Sequence, residues 1–161
     1  LILKDYFSKD NKEKFHKYTD TLLYLASRNE HIQNKIKPAL EKKNIVICDR
    51  FIDSTIAYQV YGKKIDINFI NNIHKTILHN IKPDITFVLK VDSKTSSIRL
   101  KKRKSTNRYD KFSKKFYNSV QNAFLKIARN KNNYFILESS KNNMDLEKKI
   151  FNIISKKIGI Q

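Results

Sequence analysis

Asp49 and Arg50 stand side by side directly after an apolar run, Ile45-Val46-Ile47-Cys48, and the hydrogen-bonding side chains Ser54, Thr55, Tyr58 and Gln59 follow close behind. A carboxylate beside a guanidinium offers two kinds of chemistry. The carboxylate can hold a magnesium-bound water, and the guanidinium can fork onto phosphate oxygens. Read alone, the same pair is equally an ion pair closing a strand. The polar residues that follow favour a site, because their spacing sets them on about one and a half turns of a helix, where they can fix a sugar and a planar base.

Positioning such a site requires particular elements. The run 45–48 has no polar interruption, as expected of a parallel strand covered on both faces, and open α/β sheets place their ligand crevice at the carboxyl ends of strands. Upstream, Leu22, Leu23, Leu25, Ala26, Ile32, Ile36 and Leu40 recur at mostly three- and four-residue spacing, which predicts a long amphipathic helix over 19–42, with a bend at Pro38. Downstream, the pattern predicts a short helix near 54–60 and a loop through Gly62. A further helix follows, capped by Asp66, with Phe69, Ile70, Ile73, Ile77 and Leu78 on one face. Ile85 to Val91 reads as a second strand, after which Ser93 starts a helix into a basic stretch. A helix over 111–130 carries Phe112, Phe116, Val120, Phe124 and Ile127 on one stripe, Tyr134 to Leu137 forms a third strand, and a last helix turns Leu146, Ile150, Ile153, Ile154 and Ile158 inward. Strands separated by helical crossovers imply a parallel sheet with right-handed connections.

The chain has 161 residues, the size of one domain spanning 1–161, and carries 34 Lys plus Arg against 15 Asp plus Glu, a formal net charge of +19. That balance raises the possibility of a basic nucleic-acid-binding module. Lysine is spread over nearly every predicted helix, however, beside abundant Asn and Ile whose codons are A/T-rich, and the aromatics occupy core-like positions; nucleic acid is therefore not the expected partner. The single Cys48 cannot form an internal disulfide and reads as a small buried apolar residue in a reducing compartment. With no membrane-spanning stretch and no secretory segment, a cytoplasmic protein is expected. His16, His31, His74 and His79 show no metal-ligand pattern, and His74 and His79 read as helix-surface residues.

DRFIDSTIAYQ (49–59) resembles the Asp-Arg-aromatic-x-x-Ser-hydroxyl-x-Ala-Tyr-Gln signature of the thymidylate kinase family, which phosphorylates dTMP with ATP. LLYLASR (22–28) with the Lys-Pro-Ala-Leu of 37–40, KPDITFVL (82–89) and RLKKRKSTNRYD (99–110) resemble further family stretches in the right order, so that the likeness covers essentially the whole chain. It implies an α/β, three-layer P-loop NTPase fold with a parallel sheet ordered 2-3-1-4-5, ATP as co-substrate, Mg2+, and a homodimer. Compared with the family, the chain opens after the P-loop strand and helix, and its two glycines, Gly62 and Gly159, cannot form a glycine-rich phosphate loop. We therefore expect the first strands to be missing and these residues alone to be inactive.

The resemblance also implies roles. Tyr24, otherwise a core residue, would stack on thymine, and Arg28, otherwise a surface arginine, would donate to a thymine carbonyl; spacing of four residues lets both line one pocket. Gln59 offers a donor and an acceptor to the base edge, with the Thr55 hydroxyl nearby and Ser54 and Tyr58 completing the pocket. Arg50 would hold the dTMP phosphate and Asp49 would act through magnesium, by way of water. The basic stretch, in isolation a solvated face or a nucleic-acid contact, resembles a lid closing over ATP, with Arg103 and Arg108 matching best and Arg99 less well. Asn107, Asp110 and Lys90 depart from the family pattern there. Competing readings are a kinase for another nucleoside monophosphate and a truncated non-catalytic remnant.

Overall fold

The computed structural model describes residues 15–102, 113–140 and 144–159. Its first element is a run of three helical pieces: α1 (Lys17–His31), a π-helical segment (Ile32–Ile36) and α2 (Lys37–Glu41). The π segment has a local cause. Pro38 carries no N–H, and its ring would strike the carbonyl four residues back; the widened turn, in which Lys37 N–H bonds to Ile32 O, makes room for it. The expected bend at Pro38 is thus a change of helical register. Leu25, Ile32 and Ile36 are buried along the inner stripe of this run.

The predicted strand 45–48 is not one. Val46 and Cys48 are half-buried, Ile45 and Ile47 are 71% and 91% exposed, and no strand among the described residues pairs with them. Exposed and half-buried side chains alternate along it, but a strand exists only with a neighbour to share its hydrogen bonds. After it, α3 (Ile52–Thr55) runs into a second π-helical segment, Ile56–Gly62.

Asp66 caps α4 (Ile67–Ile77) as its sequence predicts, its carboxylate accepting from Asn68 N at 2.8 Å. The apolar face of α4 brings Ile70 against Leu25 and Ile65, with Tyr18, Ile56, Phe69, Ile73 and Ile77 packed around them. The histidine on that stripe, His74, lies four residues after Ile70 and is only 6% exposed, which corrects the expectation of a surface residue.

Two parallel strands follow the predictions closely. In β1 (Thr86–Lys90) and β2 (Tyr134–Glu138), Thr86 pairs with Tyr134 and Lys90 with Glu138. Between them lie α5 (Ser93–Lys101) and α6 (Lys114–Ala128). Ser93 begins α5 as expected, but the cap is Asp92, which accepts from the Thr95 N–H and hydroxyl at 2.8 and 2.7 Å; these bonds hold its carboxyl down to about 2. In α6, capped by Ser113, Val120 and Ala123 pack on Ala57 of the second π segment, with Tyr58, Phe116, Phe124 and Ile127 alongside. Phe112, placed on the same stripe by its spacing, is outside the described residues. A Cβ at Gly62 would come within 2.6 Å of the Phe116 ring, so glycine is what permits this close approach. The last helix, α7 (Met144–Ile158), half-buries Leu146, Ile150, Ile153 and Ile154, whereas Ile158, expected inward, is exposed at the helix end. No helix among the described residues is long and apolar enough to cross a membrane.

Candidate functional site

Tyr24, Arg28, Arg50, Ser54, Thr55, Tyr58 and Gln59 line one cleft of about 200 Å³. These seven are the residues that the family resemblance implies for substrate binding. One wall comes from α1, which places Tyr24 and Arg28 one turn apart. The other comes from α3 and the π segment after it, which present Ser54, Thr55, Tyr58 and Gln59.

Arg50 stands between the walls in an unusual conformation. Its φ is +65°, in the left-handed region that costs a side-chain-bearing residue about 1–2 kcal/mol. The surrounding contacts hold it there: its guanidinium carbon lies 5.3 Å from the Tyr58 ring centroid, and its carbonyl accepts from Arg28 Nη1 at 3.4 Å. Arg28 in turn rests on the Phe51 ring at 5.2 Å, and its Nε is buried with no hydrogen-bond partner. Burial lowers the Arg28 pKa, with the nearby Cys48 thiol opposing it. A guanidinium keeps its charge in proteins, so the unmet N–H is a donor waiting for an acceptor oxygen. The same burial pushes the Cys48 thiol up, and its Sγ, half-buried and not fully buried as expected, lies 3.6 Å from Arg50 O.

The floor is polar and fully enclosed. Gln59 is 2% exposed, and its Oε1 accepts from the Thr21 hydroxyl at 3.2 Å; that hydroxyl hydrogen is shared with Lys17 O at 2.7 Å. One residue before Thr21, buried Asp20 pairs with Lys63, just beyond the π segment. These two contacts clamp α1 to the segment that carries Tyr58 and Gln59. Sequence reasoning missed Asp20, Thr21 and Lys63. The available signal was that Thr21 falls on the stripe of Leu25 and Ile32, where a polar residue has to find a partner.

Behind the cleft, Tyr134 donates its hydroxyl to Asp53 Oδ2 at 2.9 Å, tying α3 to β2. Burial first, and then the Asp53 charge, push the Tyr134 phenol up to about 12. His74 is pushed down to about 4, by burial and by the charge of Arg28.

The remaining predicted residues lie elsewhere. Asp49 is exposed and does not line the cleft. Arg99 turns its guanidinium to the end of β2, donating to Ser139 O at 2.8 Å and Ser140 O at 3.3 Å. Arg103 and Arg108 are outside the described residues, as are Asn107 and Asp110.

Comparison with known proteins identifies the family. Residues 2–150 match the family model described as thymidylate kinase. A thymidylate kinase of Trichodesmium erythraeum is 35% identical over 146 residues, covering 91% of this chain and 65% of that protein. One from Wolbachia pipientis wMel is 46% identical over 111 residues, covering 68% of this chain and 54% of that protein. The crystal structure of thymidylate kinase from Ehrlichia chaffeensis superimposes with a TM-score of 0.68 at 30% identity, over 89% of this chain and 67% of that one. The chain thus spans 65% and 54% of the length of the first two relatives. That structural likeness sets the two-stranded parallel sheet within an α/β P-loop NTPase fold. With a family model covering residues 2–150, nearly its full length, the chain belongs to the thymidylate kinase family.

Proposed function

We propose that these residues form the acceptor side of a thymidylate kinase, which transfers a phosphoryl group from ATP to dTMP to give ADP and dTDP. The observation that carries the proposal is the cleft itself, where two arginines, an aromatic at each wall and a buried amide face one small volume. Arg50 supplies a fixed charge for the dTMP phosphate. Tyr24 offers a face to the thymine ring, while the unmet Arg28 Nε and the enclosed Gln59 amide meet its polar edge. Ser54, Thr55 and Tyr58 complete the enclosure around the sugar. Phosphoryl transfer needs mainly alignment and charge neutralisation, and a clamped, preformed cleft provides the first of these.

Among the described residues no group of three His, Cys, Asp or Glu could hold a metal ion. Asp49, exposed beside Arg50, fits a magnesium ion that keeps most of its waters and takes its other ligands from phosphates. When bound, magnesium would neutralise phosphate charge. The two isolated glycines supply no cradle for the ATP phosphates, so no step is assigned to these residues on the ATP side. Lid roles for Arg103 and Arg108, a homodimer packed through helices beside the nucleotide site, and a cytoplasmic setting belong to the same proposal.

The test is calorimetric titration with dTMP, dCMP and dGMP. Tighter binding of dTMP than of the other two is expected; equal binding of all three would refute the pocket assignment.

A further inference from the structure

A second cavity, of about 440 Å³, opens where the segments entering β1 and β2 meet the C-terminal end of α4. It shares no lining residue with the Arg50 cleft. Its volume falls in the range of small-molecule sites, about 300–1,000 Å³. His74 lines it, and the buried His74 Nε2 has no hydrogen-bond partner. Buried polar groups are nearly always satisfied, so an orphan nitrogen on a side chain that lines a cavity, itself enclosed just behind the wall, marks a bond that an occupant reaching it would complete.

The charged lining residues are lysines, while the Asp53 carboxylate, not itself a lining residue, accepts from the Tyr134 hydroxyl at 2.9 Å. Lys75, Lys82 and Lys131 line the cavity and are exposed, and no carboxylate lines it. Lys131 Nζ lies 4.4 Å from the centroid of the Tyr134 ring, which leaves the ammonium beside an aromatic face. Leu78 and Pro83 add apolar wall. His74 is neutral near pH 7, so it serves as a hydrogen-bonding group for an uncharged polar atom and not as a further cation.

We propose that this cavity binds a small phosphorylated organic compound, its phosphate among Lys75, Lys82 and Lys131, its carbon skeleton against Leu78 and Pro83, and a hydroxyl or carbonyl bonded to His74 Nε2. Three lysines without a carboxylate select the anion, and the apolar wall with its buried nitrogen selects for more than phosphate alone. The site is independent of the dTMP reading, because none of its residues lines the other cleft.

Calorimetric titration with ribose 5-phosphate, glycerol 3-phosphate and inorganic phosphate tests it. At least one organic probe should bind about tenfold more tightly than inorganic phosphate. That affinity should fall tenfold or more in the Lys82→Glu, Lys131→Glu double variant. It should persist in Arg50→Ala and in a Lys148→Glu, Lys149→Glu double variant on α7. Four outcomes overturn the proposal: no saturable binding at millimolar concentration, inorganic phosphate binding as well as both organic probes, loss of binding in Arg50→Ala, or equal losses in the two double lysine variants. The third would place the probe in the dTMP cleft, and the fourth would reduce the effect to the overall charge of +19.

Discussion

The Thr21 hydroxyl reaches Gln59 Oε1 at 3.2 Å across 38 residues of sequence, and both side chains are fully enclosed. The amide that faces the cleft is therefore oriented from the opposite wall. Replacing Thr21 by valine keeps the shape and deletes the bond, leaving the buried Gln59 oxygen unsatisfied at a cost of about 1–3 kcal/mol. Denaturant titration should show that loss, together with weaker dTMP binding, whereas Thr21→Ser should retain most of both.

Arg50 separates backbone from charge. Arg50→Ala and Arg50→Gly both remove a phosphate contact worth on the order of 1.5–3 kcal/mol, so dTMP affinity should fall about tenfold or more in each. Only glycine accommodates φ +65° without strain, so Arg50→Gly should be more stable than Arg50→Ala by about 1 kcal/mol. Equal stabilities would show that the left-handed backbone is not maintained in solution.

Arg28→Lys keeps a cation but removes the Nε donor that has no protein partner. The expected result is a narrowing of the gap between dTMP and dCMP affinities with little change in binding of the phosphate group. A uniform loss for both nucleotides would instead assign Arg28 to the phosphate.

Asp20 and Lys63 form a buried pair, with side chains 1% and 11% exposed. Asp20→Ala leaves the ammonium without that partner and should cost about 3–5 kcal/mol in unfolding free energy, whereas an Asp20→Leu, Lys63→Met double variant should recover most of it. Thermal melts of the two variants check the order.

His74 has a folded-state pKa near 4 against 6.5 in its unperturbed form. The unfolded chain therefore binds the extra proton first as pH falls. The His74 contribution to stability is complete above 6.5 and is lost progressively between about 6.5 and 4. Denaturant midpoints measured across that window should decline in the parent chain and decline less in His74→Gln. Parallel slopes would mean that His74 is solvated.

The cleft was legible because its chemistry is contiguous: Arg50 to Gln59 carry most of it, and Tyr24 with Arg28 add one helical turn. Caps such as Asp66 and the strands 86–90 and 134–138 were legible for the same local reason. What escaped prediction depends on distant neighbours. Ile45 to Cys48 has the composition of a strand, yet pairing is decided by another segment. Asp20 finds Lys63 across 43 residues, and no property of either one announces the other. The burial of His74 follows from the packing of α4 against α1, although its spacing from Ile70 hinted at it. The π-helical segments leave no trace in the apolar periodicity, which assumes a uniform turn.

The π segment Ile56–Gly62 fixes a phase. Each widened turn consumes more residues than the 3.6 of an α-helix, so Tyr58 and Gln59 are wound back relative to Ser54 and Thr55. A single-residue deletion there, even of a residue that touches no ligand, would let the helix tighten and swing Tyr58 and Gln59 around its axis, out of alignment with the wall that carries Tyr24 and Arg28. Length matters as much as side-chain identity in this stretch of backbone: here an omission would act like several substitutions at once.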